Sequence, residues 1–389
     1  MIYLDNAATT YPKPESVYRA AERYFREYGG NPGRSSHLLS RQAAMAIYSC
    51  REAVAELLGG LPENVVFTVN ATYALNLAIR AFAKPRSRIL ISGIEHNAVL
   101  RPVAALPACE YDVFDAHGGE EAVLRSFMSK LTKDTSLVVC NHVSNLCGLT
   151  MPVERIGAIC QKRGIPFVMD ASQSAGRQPI TLGGCHADAI CAPGHKGLYG
   201  IQGSGFVIFA DRYRERGREL RTFLAGGNGV DSLVTAMPDF LPERLEAGTL
   251  PTPAIASLAA GIREVLRRGV GKIGAYEDAL GDRLRQGLSA IPGVKLYGAE
   301  TGGGTVLFNV AELPSEQVGE WLDGKGICVR SGFHCCPLGH RTLGTPRHGA
   351  VRASVSMFTQ EREVDEAVRA VRELARQERN GVQQGGRND

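Results

Sequence analysis

Short, nearly uninterrupted apolar runs recur between residues 65 and 209 of this chain: VVFTV (65–69), RILIS (88–92), SLVVC (136–140), PFVMD (166–170), DAICA (188–192) and GFVIF (205–209). Runs rich in β-branched residues, without polar alternation, suit strands covered on both faces. Helical spacing fills the stretches around them. Residues 15–28 carry Val17, Ala21, Tyr24, Phe25 and Tyr28 and stop at Gly29-Gly30; residues 40–58 repeat the pattern and stop at Gly59-Gly60; residues 75–82 form part of a third helix. Such alternation predicts an α/β domain with a mostly parallel sheet, and ligands outside the carboxyl ends of its strands.

A chain of 389 residues exceeds one ordinary core, and its texture changes after about Pro253. Helical stretches at 255–268 and 274–291 lead to TVLFNV (305–310), a helix near 316–323, the segment ICVRSG, VRASVS (351–356) and a helix over about 361–375. This predicts a smaller α+β C-terminal domain. The assigned boundaries are 1–14 for an N-terminal segment packing on the small domain, 15–258 for the large domain and 259–376 for the small one. Residues 377–389 form a polar, glycine-rich tail expected to lack fixed structure. The net charge is +4, with no lysine/arginine block, so composition gives no reason to invoke nucleic acid or an anionic membrane. No apolar run is long enough to span a bilayer, and the start, MIYLDNAATT, does not read as a signal peptide. The expected location is the cytoplasm. The ten cysteines show no CxxC and no framework spacing, so most are expected as reduced, buried, small apolar residues.

Three segments carry chemistry. In CAPGHKGLYGIQGSG (191–205), Lys196 follows a strand, flanked by His195 and by glycines that let backbone pack closely. A lysine held in a cleft can lose its proton and form a Schiff base. DASQSAG (170–176) follows the strand PFVM and places Asp170 at the ligand end of the sheet. In VNATYALNLA (69–78), Asn70, Ala71 and Thr72 open a helix whose N–H groups suit a phosphate. Taken singly, each has a plain alternative: a surface lysine, and helix caps at Asp170, Asn70 or Thr72. Together, a lysine, an aspartate and a phosphate cradle at one end of a sheet call for pyridoxal phosphate (PLP), whose pyridinium nitrogen a carboxylate keeps protonated.

YLDNAATT, EHNAVLRP, HVSNLCGLTMPV, DASQSAG, GHKGLYGIQGSG, EAGT, RSGFHC and GAVRASVSMFTQEREVD occur in this order, and the chain resembles the cysteine desulfurase/selenocysteine lyase group of class V aminotransferases from about Tyr3 to Ala375. The resemblance implies fold type I of PLP-dependent transferases: a large α/β domain with a mostly parallel seven-stranded sheet, and a small α+β domain. It implies Lys196 as Schiff-base lysine, Asp170 as partner of the pyridine nitrogen and Gln173 as partner of the ring hydroxyl. His96 would stack on the ring, while Ala71, Thr72 and His195 would contact the phosphate. Thr249 would reach the phosphate of a neighbouring subunit in a homodimer. Asn145 and Arg352 would hold the substrate α-carboxylate, Arg352 by a bidentate fork, with Arg330 assisting. Pro193 is a departure: many relatives carry serine or threonine there, and proline has neither hydroxyl nor N–H, so one usual phosphate donor is absent.

For L-cysteine as substrate, the implied reaction removes the α-proton, with Lys196 or His96 as base. A protein thiolate then takes the sulfur, leaving alanine and a protein persulfide. An aminotransferase, epimerase, β-lyase or kynureninase-like hydrolase needs no such thiol; a PLP-binding sulfur carrier needs no carboxylate clamp. Cys335 holds the reactive-cysteine position of Arg330-Ser331-Gly332-Phe333-His334-Cys335, where Arg330 and His334 as cations would favour its thiolate. Cys336 reads as a small buried thiol, or as a resolving thiol or second persulfide acceptor. A metal at His334, Cys335, Cys336, His340 and Cys328 would crowd the usual zinc ligand spacing, so no metal is expected. L-selenocysteine as substrate and a sulfur-acceptor protein as partner complete the expectation.

Overall fold

The computed structural model describes residues 1–33, 36–214 and 216–385, and the chain divides into two compact units. One comprises Lys13–His142 and Met151–Val270; the other comprises Met1–Pro12, Val143–Thr150 and the chain from Gly271 onward. Among the described residues, no helix is long and apolar enough to cross a membrane.

The larger unit is built on a seven-stranded sheet. From one edge the strands are Val65–Thr68, Gly205–Phe209, Ala189–Pro193, Phe167–Asp170, Thr135–Asn141, Arg88–Ser92 and Glu110–Phe114. Only Gly205–Phe209 runs antiparallel to its neighbours; the others run parallel. The strand cores, such as Ile89, Val138, Val168, Ile190 and Val207, are fully buried, as expected for a sheet covered on both faces. Glu110–Phe114 escapes the sequence reading because it is an edge strand: Glu110 and Tyr111 are exposed, and only Phe114 is buried. Helix Glu15–Glu27 turns Val17 and Tyr24 inward and carries the exposed pairs Arg19–Glu15, Arg23–Glu27 and Arg26–Glu22 outward, where water screens them and they add little to stability.

The helix Thr252–Arg268 belongs to this unit, so the division falls at Val270/Gly271 and not at the expected 258/259. The reason is a backbone contact. A Cβ at Gly261 would strike the carbonyl of Leu198, so the helix lies directly on the loop that carries Lys196.

The smaller unit has a four-stranded antiparallel sheet in the order Arg330–Gly332, Ala350–Ser354, Thr305–Val310, Val294–Tyr297. A separate parallel pair joins Ile2–Tyr3 to Ile327–Cys328. Its core gathers Leu4, Leu280, Leu284, Phe308, Val318, Val364 and Val371. The segment Val143–Thr150, expected in the large domain, lies with this unit. Helix Glu361–Gly385 continues well past 376. Residues 377–379, Gln-Glu-Arg, are good helix formers, and that propensity extends the helix where composition predicted loss of structure. Residues 386–389 of the predicted tail lie outside the described residues.

Candidate active site

Thr68, Ser92, Asn141, Asp170 and Pro193 end strands that share one direction. The segments that follow them therefore emerge at one end of the sheet. These segments carry Ala71 and Thr72, His96, His142, Asp170 with Gln173, and His195 with Lys196. Asp170 and Cys191 are direct neighbours on adjacent strands, and the Ala171 N–H donates to the Cys191 carbonyl at 2.9 Å. The two loops beyond them touch backbone to backbone. A Cβ at Gly176 would collide with the Gly197 carbonyl and one at Gly197 with the Ala175 carbonyl; Gly176 also has φ +84. Glycine at these positions is what brings the DASQSAG and GHKG turns together.

Each group has a local cause. Asn70 caps helix Ala71–Phe82, its side chain accepting from the Tyr73 N–H at 2.8 Å. The amides of Ala71 and Thr72 lie in the first turn, at a positive helix end. Asp170 is 5% exposed, and its Oδ1 accepts from the Ser172 N–H at 2.8 Å; Oδ2 takes no part in that bond. His96 caps helix Asn97–Ala104, with Nδ1 accepting from the Ala98 N–H at 2.9 Å. That bond puts the proton of a neutral ring on Nε2. His195 is neutral at neutral pH: burial first, then Lys196 and Lys13, pull its pKa down to about 4. Lys196 and Gln173 are half-buried. An anion cradle, a buried carboxylate and a half-buried lysine match the donor set that PLP requires. Thr249 is exposed and lines a cleft of about 220 Å³ with Tyr48, Arg51, Asn228 and Glu246.

Sequence reasoning missed three groups here. Lys13 donates from Nζ to the His195 carbonyl at 3.3 Å, and burial lowers its pKa to about 8. His142 is buried with Nδ1 unpartnered, and burial with the Arg177 charge lowers its pKa to about 4. Glu95 is wholly buried; Oε1 accepts from the Asn141 N–H at 2.8 Å and from the Ser92 hydroxyl, and Oε2 has no partner. Only the motifs EHN and HVSN hinted at the last two. Burial, reinforced by Asp170, raises Glu95 from 4.5 to about 8. Between those values the unfolded chain releases a proton that the folded chain keeps. This contribution to stability is complete below pH 4.5 and is lost as pH rises through 8. Glu95→Gln keeps the accepting oxygen and the neutral form. It is expected to gain more than about 1 kcal/mol over wild type on going from about pH 5 to about pH 8, read from urea midpoints. A difference that does not change with pH would show that Glu95 is ionised in the fold.

The remaining predicted residues lie in the smaller unit. Arg352 is 2% exposed; Nη2 meets Asp5 Oδ1 at 2.8 Å, Nη1 donates to the Asn145 carbonyl at 2.8 Å, and Nε is buried without a partner. Arg330 stands directly opposite Arg352 on the next strand. Cross-strand partners share a face, and paired like charges are destabilising unless an anion joins them. Asn145 donates from Nδ2 to the His334 carbonyl at 2.8 Å. Cys335 is exposed, whereas Cys336 is wholly buried in an apolar cluster with Leu146, Cys147, Leu307 and Ala350. His334 and Cys335 have φ +50 and +53, a left-handed backbone that costs about 1–2 kcal/mol per residue. His334 does not supply the cation expected beside the thiol. Burial, then Arg352, pull its pKa down to about 3, so its ring is neutral.

The model for class-V aminotransferases matches residues 2–367. A probable cysteine desulfurase of Methanothermobacter thermautotrophicus is 31% identical over 386 residues, covering 96% of this chain and 94% of the relative. One from Synechocystis is 32% identical, covering 94% and 89%. The apo structure of a cysteine desulfurase from Thermococcus onnurineus NA1 is similar with TM-score 0.87 and 32% identity, over 96% of this chain and 94% of that one. With the mixed seven-stranded sheet and a donor set suited to PLP, the match across nearly its whole length means that this chain belongs to the class-V aminotransferase family of PLP-dependent enzymes.

Proposed function

We propose that the chain is a cysteine desulfurase, converting L-cysteine to L-alanine and passing the sulfur to Cys335 as a persulfide. The observation that carries this reading is the exposed Cys335 thiol, held in the same unit as a buried arginine fit for a carboxylate. PLP supplies the electron sink that labilises the α-proton and weakens the substrate C–S bond. Lys196 holds the cofactor and moves the α-proton. His96 would not serve as base, because its Nδ1 lone pair accepts from the Ala98 N–H and a neutral ring then carries its proton on Nε2; its role would be to stack on the cofactor ring and donate from Nε2. With PLP bound, Asp170 would hold the pyridine nitrogen, Gln173 the ring hydroxyl, and Ala71, Thr72 and His195 the phosphate. Arg352 and Asn145, with Arg330, bind the α-carboxylate, whose charge adds to that of Asp5 in offsetting the opposed arginines. The Cys335 thiolate attacks the substrate sulfur: an S–S bond forms as the C–S bond breaks, and the carbon takes up a proton to become alanine.

A second reading, an aminotransferase, epimerase or β-lyase of the same family, leaves the thiol without a role. A sulfur carrier without turnover leaves Arg352 without one. The proposal extends to L-selenocysteine as a second substrate, a homodimer completed at Thr249, delivery to a sulfur-acceptor protein and a cytoplasmic location. The deciding experiment incubates the purified holoenzyme with L-cysteine, L-selenocysteine and other amino acids under reductant. Alanine and sulfide from L-cysteine in equal amounts are expected. Turnover of other amino acids with none of L-cysteine would overturn the reading.

A further inference from the structure

The segment RSGFHCCPLGH alternates between surface and interior. Phe333 is 49% exposed and Cys335 is exposed, whereas His334, Cys336 and His340 are buried to 4%, 0% and 1%. The thiol is thus the apex of a short turn anchored on both sides. On the far side, the Cys336 N–H donates to the Phe333 carbonyl at 3.0 Å and its side chain enters the apolar cluster. On the near side the anchor is His334. Its carbonyl is held by Asn145, its Nε2 meets the Arg330 carbonyl at 3.2 Å, and its ring lies on His340 with centroids 5.7 Å apart and planes at 15°. His340 is fixed in turn by Nδ1 to the Thr345 hydroxyl at 2.7 Å, and by the edge of Phe333 at 5.4 Å.

The two rings leave His334 Nδ1 and His340 Nε2 buried and unpartnered. Buried polar atoms without partners are unfavourable, and packing alone would be met by an apolar residue. What the imidazoles add is orientation, since each has one ring nitrogen tied to a fixed oxygen. That orientation matters because two successive left-handed residues do not hold their conformation unaided.

We infer that His340 is a positioning residue for the Cys335 thiol, acting through the stacked His334 ring to hold the turn that presents it. The inference rests on the reading of Cys335 as the sulfur nucleophile. His340→Ala removes the stack, and His340→Phe keeps a flat ring. In the holoenzyme, hydrogen exchange over residues 332–340 is expected to quicken about tenfold in His340→Ala. The kcat on L-cysteine should fall about tenfold, while KM stays within about twofold and the cofactor absorption is kept. His340→Phe, which keeps a stacking ring but loses the tie to Thr345, should recover only a small part of either. Exchange and kcat at wild-type values in His340→Ala would overturn the inference, as would a Phe variant at wild-type values, which would show that packing alone holds the turn. If His340→Ala does not fold, Thr345→Val decides: it cuts the tie to His340 without opening a large cavity, and unchanged exchange would sink the idea. Exchange does not depend on turnover. A Cys335→Ser enzyme that still desulfurates cysteine would defeat the functional reading while leaving the test of the clamp intact.

Discussion

Cys335→Ser is expected to lower alanine release from L-cysteine by about 10²-fold or more, with cofactor absorption unchanged. The sulfur acceptor must be a thiolate, because a serine hydroxyl at neutral pH is almost wholly protonated and forms no persulfide. The cofactor-binding set is left as it was: Cys335 is exposed, and the substitution replaces one small atom at a turn apex. The anchors at His334 and Cys336 remain. Alanine and sulfide should fall together, and selenocysteine, with its weaker carbon–selenium bond, should lose less. Turnover of cysteine at the wild-type rate would remove Cys335 from the reaction. Cys336 does not stand in for it, being wholly buried in the apolar cluster.

Lys196→Ala is expected to have the larger effect, abolishing both the absorption of the lysine-bound cofactor and all turnover. Two roles are lost at once, the covalent hold and the proton carrier, and loss of acid–base catalysis alone costs about 10²–10⁴-fold. The fold should survive, because the loop is held by backbone. The Tyr199 N–H donates to the Lys196 carbonyl, Gly200 N–H to Gly194, and Gly261 packs on Leu198. Absorption and turnover, measured beside the thermal midpoint, separate chemistry from folding. An unchanged spectrum would show that another residue holds the cofactor.

The sheet was legible because its strands are unbroken apolar runs, and the cofactor end was legible because Lys196 and Asp170 sit in glycine-rich turns directly after two of them. Glu110–Phe114 was not, because an edge strand with one buried end looks like a loop. The neutrality of His334 was not legible either: its burial comes from partners distant in sequence, with Asn145 189 residues away. For the same reason Arg352 read as a waiting fork, when Asp5, 347 residues earlier, already contacts it. Lys13 carried no local signal, and the motif EHN marked Glu95 without its protonation, since a pKa moved by burial is a property of packing and not of a motif.

The smaller unit is threaded from three separated parts of the chain, with Met1–Pro12 and the chain beyond Gly271 as its extremes. During synthesis the first strand, Ile2–Tyr3, leaves the ribosome long before its partner, Ile327–Cys328, exists. The polypeptide of the larger sheet is complete by Phe209, so that sheet can form while the N-terminal dozen residues still wait. Closing so long a loop is slow. The arginine clamp and the thiol turn therefore assemble last, and a nascent chain carries the lysine before it has an organised thiol. Deleting the N-terminal segment would remove Asp5 and the strand that seats on Ile327, and would spoil the unit that holds Arg352 and Cys335 from the opposite end of its sequence.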